Sequence, residues 1–285
     1  MVRALWSGAS GMIAQQTNVD TIANNIANVN TVGYKTEQNE FKSLLYQEIQ
    51  TKTTSANGVK KPVSAQVGLG VRNAAITSEF SQGAFQTSES QTSFAISGDG
   101  FFGVVNNGNT YYTRNGDFHW SIGNNPNELV LSTSDGCPVL GTNGEEIRIT
   151  GDNFMASRIS VDATGQLTYP DANNNPTTTP PGLQPNPLPQ IQVFQFQNPS
   201  GLYKVGSTMF QTTESSGAAI QEILNGANNP AVQRSEIYQG YLESSNVQVA
   251  DEMVNLIIAQ RAYELNSKTI TTADSMLQVA NELKR

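Results

Sequence analysis

Reactive side chains are scarce in this chain of 285 residues, which holds one cysteine, Cys137, and one histidine, His119. A lone cysteine excludes an intrachain disulfide. Together the two counts exclude a Cys/His zinc site and leave little room for a Cys–His catalytic pair. Cys137 lies in DGCPVLG, a turn before a short apolar run, and reads as a small semi-buried residue; His119, in DFHW, reads as a strand residue. Charge is sparse too, at 14% of residues with a net charge of −8. That balance excludes a basic nucleic-acid surface and an anionic-lipid anchor. A polar surface with little charge instead tolerates close packing against copies of itself, because little charge must be desolvated. Long apolar runs are absent: LIIA (Leu256–Ala259) falls far short of the roughly 20 residues that span a bilayer. Ser7, Gly8, Ser10 and Gly11 interrupt any apolar core of a cleavable signal near the N-terminus.

The strings that suggest chemistry do not sustain it. GDGFFG (Gly98, Gly100, Gly103) fits G-x-G-x-x-G, but a dinucleotide loop must open a helix, and VVNNGNTYYT follows as strand and turn. Gly98 and Gly100 instead suit a tight turn with positive φ. Glu145, Glu146, Asp152, Asp162 and Asp171 are scattered, with no spacing that sets two of them across a cleft as a glycosidase pair requires. A Ser-His-Asp triad would rest on His119 and an unidentifiable serine. The expectation is a non-enzyme with no catalytic residues, no cofactor and no metal.

The two ends are helical. Leu5, Met12, Val19 and Ile26 recur every seven residues, with Ile22 beside them, over about residues 3–28. Asn and Gly at 30–33 supply stop signals. Within this helix Asn24, Asn25 and Asn28 form an amide-rich face, although asparagine is a poor helix former. Two readings stand for them, a solvated polar face or amides that bond to neighbouring subunits or face a channel.

Near the other end Ile258, Ala262, Leu265, Thr269, Thr272, Met276, Val279 and Leu283 alternate spacings of four and three, a heptad of the coiled-coil kind. A second stripe, Leu256, Tyr263, Ile270 and Leu277, runs beside it. Together they cover roughly 160° at about 100° per residue, wider than a two-stranded seam needs. A helix over 247–283 would be roughly 55 Å long at about 1.5 Å per residue. Such a helix needs partners, the first being the N-terminal helix.

Between the ends, FAISGDGFFGVV, TYYTRNGDFHW, ELVLS, EEIRIT, RISVDATGQLTY and QIQVFQF read as short strands separated by Gly-containing turns. The fold class is therefore α+β: long N- and C-terminal helices packed as a coiled-coil-like domain, with an inserted, mainly antiparallel β domain. The expected boundaries are 1–46 and 240–285 for the helical assembly domain, and 47–67 and 214–239 for an extended linker region with one helical turn near Ile220–Leu224. The β domain takes 68–213, with a Pro/Asn-rich loop at 170–189.

SGMIAQQTNVDTIANNIANVNTVGYK and QGYLESSNVQVADEMVNLIIAQRAYELNSKTITTADSML resemble the terminal signatures of the bacterial flagellar rod and hook axial proteins. FAISGDGFFGV, YTRNGDF and TSDGCPVLG resemble that family's sheet turns, and the pairing of AQQTN with GYLESSNVQV and QRAYELNSK is most similar to its distal-rod members. The resemblance implies a structural subunit of a helical homopolymer in the periplasm-spanning rod of the basal body, transmitting torque and enclosing the export channel. It implies flagellar type III export without signal cleavage. The implied partners are other rod subunits, hook subunits and the surrounding periplasmic and outer-membrane rings, with no nucleic acid and no membrane insertion. Assembly would fall to Leu5, Met12, Val19, Ile22, Asn24, Asn25, Ile26 and Asn28 on the first helix, and to Leu256, Ile258, Tyr263, Leu265, Ile270, Met276 and Leu277 on the second. For each apolar position an intramolecular two-helix core is the competing role. A proximal rod or hook subunit is the near alternative, and a secreted β-rich adhesion module with coiled-coil ends is the alternative of a different class.

Overall fold

The computed structural model describes residues 2–50, 65–123, 125, 127–142, 144–151, 155–171, 175–180, 182–222 and 233–283. The chain is α+β and divides into two units, each made from segments distant in sequence. The first comprises Met1–Ala27, Glu37–Ser78 and Gln248–Arg285; the second comprises Asn28–Thr36 and Glu79–Val247.

In the first unit, helix α1 spans Val2–Ala27 and helix α2 spans Val249–Glu282. Asp251 and Glu252 occupy the first turn of α2, where carboxylates favour the exposed backbone N–H groups. The remainder is a long antiparallel ribbon. Strand β1 (Glu37–Ser43) pairs with β4 (Val71–Ser78), and β2 (Tyr46–Gln50) pairs with β3 (Ala65–Gly68). Ser10 Oγ, on α1, accepts a hydrogen bond from Val71 N at 3.4 Å, which ties the ribbon to the helix.

The second unit is antiparallel throughout its described pairings. Its largest sheet runs, in spatial order, Tyr203–Gly206, Met209–Gln211, Asn109–Thr113, Phe101–Asn106, Val193–Gln195 and Ile220–Gln221. A four-stranded sheet orders Leu183–Gln184, Arg148–Gly151, Glu128–Thr133 and Phe118–Ile122. Alternation along these strands sends Phe102, Val104, Leu131, Ile147 and Ile149 into one apolar cluster; Phe101, Tyr112, Phe194, Phe196 and Phe210 form another, with their rings edge to face. Cys137 is buried in the first cluster. In the GDGFFG turn Gly98 takes a φ of +128°, whereas Gly100 keeps an ordinary φ.

These boundaries differ from the sequence-based ones. The expected linkers are structured where described: residues 47–50 and 65–67 belong to β2 and β3, and residues 214–222 and 233–239 belong to the β unit. Ile220–Gln221 is a strand and Glu222 is helical, while residues 223 and 224 of the expected turn lie outside the described residues. The reason lies in long-range partners: Phe194 pairs with Gln221, and the buried Glu222 carboxylate accepts hydrogen bonds from Ser235 N and Oγ at 2.7 Å each. The expected linker at 51–64, Leu224, Asp152 and parts of the 170–189 loop lie outside the described residues.

Candidate assembly surfaces

The two helices pack antiparallel, because Gly8 lies opposite Ile270 and Asn25 opposite Glu252. The approach is close. A β-carbon on Gly11 would sit 2.8 Å from Asn266 Nδ2, and one on Gly8 would sit 2.9 Å from Ile270. Small residues on α1 therefore decide how deeply α2 seats.

This close seam settles which stripe of α2 faces inward. Glu252, Ala259 and Ala273 are its buried residues, and Leu256, Asn266, Ile270 and Leu277 on the same face are half-buried. They form a heptad that includes three of the four residues of the second sequence stripe. Tyr263, the fourth, is largely in solvent, and lines a groove of about 380 Å³ with Gln16, Val19, Gln260 and Glu264. The first stripe lies about 125° around the helix at about 100° per residue. Its large apolar members stay in solvent: Ile258 is 60% exposed, Leu265 66%, Met276 55% and Val279 54%. Large exposed side chains in a row on one helix face mark an interaction surface more than scattered ones do.

On α1, Ile22 is buried, while Leu5, Met12, Val19 and Ile26 are half-buried. Trp6 and Ile13, which periodicity did not single out, are 70% and 67% exposed. The ribbon adds Phe41, Leu45, Tyr46, Ile49 and Ile76 to the exposed apolar surface of this unit.

The asparagines part company. Asn25 is 1% exposed, and its amide is used inside the chain: Oδ1 accepts from Glu37 N at 2.9 Å, while Nδ2 donates to Glu37 O at 2.8 Å and to Glu252 Oε2 at 3.3 Å. Neither reading offered for it, solvated face or intersubunit contact, describes that lock. Asn28 organises the turn after the helix, with Oδ1 accepting from Thr31 Oγ1 at 3.1 Å. Asn24 faces solvent.

The β unit holds a second polar lock that periodicity cannot reveal. Lys35, from TVGYK, donates to Glu243 Oε1, from GYLESSNV, at 2.6 Å across 208 residues of sequence. Arg114 Nη1 reaches the other carboxylate oxygen at 3.4 Å, and both ion pairs are about 1% exposed. Burial pushes the Lys35 ammonium below its ordinary range against the pull of Glu243, and Arg114 is lowered for the same reason. Arg114 also stacks 5.0 Å over the Phe101 ring. One signal was present in the sequence: Lys35, Glu243 and Asn246 all fall within the two terminal signatures. Among the described residues, no helix is long and apolar enough to cross a membrane, and no cluster of three or more His, Cys, Asp or Glu could hold a metal.

Residues 5–35 match the flagella basal body rod protein family, 95–169 the flagellar hook protein FlgE/F/G D1 domain, and 238–283 the flagellar basal body rod FlgEFG protein C-terminal family. The chain is 42% identical to flagellar basal-body rod protein FlgG of Borreliella burgdorferi over 287 residues, covering 100% of both chains. It is 37% identical to FlgG of Bacillus subtilis, again over 100% of both. Flagellar hook-basal body complex protein FlhP of Bacillus subtilis is 33% identical over the whole of both chains.

Proposed function

The chain belongs to the flagellar basal-body rod protein family, and from that premise we propose that it is a distal-rod subunit whose α2 carries the seam between copies. Its relatives are structural proteins, and its function is structural, without an enzymatic step. The observation that carries the seam is the row Ile258, Leu265, Met276 and Val279, exposed on a helix whose other face already holds α1. Full burial contributes at most about 1.5–3 kcal/mol per side chain, or ~6–12 kcal/mol for the four. That is comparable to the roughly 4–15 kcal/mol that association costs. A heterologous contact that does not close extends into a helical filament. In such a filament the terminal helices form a coiled-coil-like layer.

Within this reading Leu256, Ile270, Leu277 and Ile22 serve the packing of α1 on α2, while Ile258, Leu265, Met276, Trp6 and Ile13 serve contacts between copies. Leu5, Met12, Val19, Ile26 and Tyr263 border both. Asn24 and Asn28 are assigned to polar contacts at the edge of the seam. The partners are other copies, other rod subunits, the hook, the rings around a periplasm-spanning rod, and the type III export apparatus that delivers the chain without signal cleavage.

Leu265→Asp and Ile258→Asp test the seam, because a charge buried at an interface without a partner costs several kcal/mol. Each variant is expected to fold and be exported yet fail to join the rod, as read by circular dichroism, secretion assays and electron microscopy of basal bodies. Normal rods in motile cells would refute the seam. A discrete trimer of the wild-type chain in light scattering would instead favour a closed adhesion-type oligomer.

A further inference from the structure

Residues 28–36 lie in sequence between α1 and β1, yet they belong to the β unit. They are held there mainly by polar bonds. Gly33 N donates to Glu243 O at 2.8 Å, Lys35 Nζ donates to Ser81 O at 2.7 Å and to Glu243, and Thr36 N and Oγ1 both donate to Asn246 Oδ1, at 2.7 and 2.8 Å. Glu79 N donates to Thr36 O at 2.8 Å, and Asn246 Nδ2 donates to Glu79 O at 2.9 Å. Gly83 N donates to Glu243 Oε1 at 2.9 Å, so a single carboxylate gathers three stretches of chain. Gly33 fits only because it lacks a side chain: its φ is +69°, and a β-carbon would sit 2.6 Å from the Arg114 and Asn115 backbone. None of residues 28–36 belongs to either apolar cluster of the unit.

A segment fastened by charge and amide bonds, outside the apolar core, can detach without exposing that core. We propose that residues 28–36 form a strap that opens and closes as one local unit together with residues 81–84 and 243–247, with Glu243 as its latch, while Phe80 stays packed on Phe101 and Phe210 of the apolar core. The charge arrangement defines which side chain matters most. Glu243 pairs with two buried cations, Lys35 and Arg114; Asp99 acts on both at longer range and Glu222 on Arg114. Removing Lys35 leaves Glu243 paired with Arg114, whereas neutralising Glu243 leaves both cations facing each other. The latch is a property of the lone chain and does not depend on how copies assemble.

Hydrogen–deuterium exchange on the full-length chain tests the strap. In the wild type, segments 28–36, 81–84 and 243–247 are expected to share one opening equilibrium, exchanging faster than the core strands Phe101–Asn106 and Glu128–Thr133. This first measurement needs no substitution. Glu243→Gln is expected to raise exchange in all three segments by roughly 100-fold or more, the scale set by removing one partner of a buried pair. Lys35→Met should raise it less, and the core strands should keep their protection in both variants. Three unrelated opening equilibria in the wild type would overturn the strap. So would unchanged exchange in Glu243→Gln, loss of core protection together with the strap, or a larger effect from Lys35→Met than from Glu243→Gln.

Discussion

Replacing Asn25 by leucine keeps the volume of the side chain and removes its hydrogen bonding. Two bonds to the Glu37 backbone, at 2.8 and 2.9 Å, and one to the Glu252 carboxylate, at 3.3 Å, would be lost at a site 1% exposed. A neutral bond contributes about 1 kcal/mol, and one to a charged group about 1.5–3 kcal/mol, so the three together contribute roughly 3–5 kcal/mol. Against a total stability of about 5–15 kcal/mol, that is a large fraction. At about 2–4 °C per kcal/mol for a larger domain, the melting midpoint should fall by roughly 6–20 °C. Urea and thermal unfolding followed by circular dichroism at a helix band report the first unit, which contains both helices. Asn255→Ala, on an exposed position of α2, is the control. It should change stability by no more than about 0.5 kcal/mol, or raise it slightly, since alanine is the better helix former. If Asn25→Leu costs no more than Asn255→Ala, the amide lock contributes nothing.

Leu265→Asp should leave the unassembled chain within about 0.5 kcal/mol of wild type in urea unfolding, because its site is exposed before assembly; a large loss would place Leu265 in the intramolecular core. Gly11→Leu should destabilise the first unit, since the new side chain meets Asn266; unchanged unfolding with intact helix content would show that the seam can widen freely. Arg148 Nη1 donates to Glu128 Oε1 at 3.0 Å, and with Asn125 N it holds the Glu128 carboxyl below its ordinary 4.5. A folded-state pKa below the unfolded one contributes stability above about pH 4.5 that is lost as pH falls through the folded value. Glu128→Gln should therefore be less stable than wild type at pH 7, with the gap closing toward pH 3; a gap independent of pH would refute the ion pair.

Local pattern sufficed for the two terminal helices and for most strands of the β unit. Spacings of three and four in Leu5–Ile26 and Leu256–Leu283, and short β-branched and aromatic runs between Gly turns, depend only on residues a few places apart. The scarcity of cysteine, histidine and converging carboxylates narrowed the chemistry in the same way. What local pattern left open is which stripe of α2 meets α1. The stripe with Ile258, Leu265 and Met276 stays in solvent. Gly8 and Gly11 let α2 approach closely, with Ile270 and Asn266 against them, so the face carrying Leu256, Ala259, Asn266, Ile270 and Ala273 turns inward.

The amino-acid sequence by itself thus determined two amphipathic helices, an antiparallel β region and a family signature at each end. Tertiary structure alone decided that Asn25 is a buried lock, that the ribbon 37–78 joins the helical unit, and that Lys35 closes on Glu243. The physical reason is range. A heptad or an alternating strand reports the chain's own geometry within a dozen residues. A hydrogen bond spanning 227 residues, such as Asn25 to Glu252, reports only where the folded chain returns to itself.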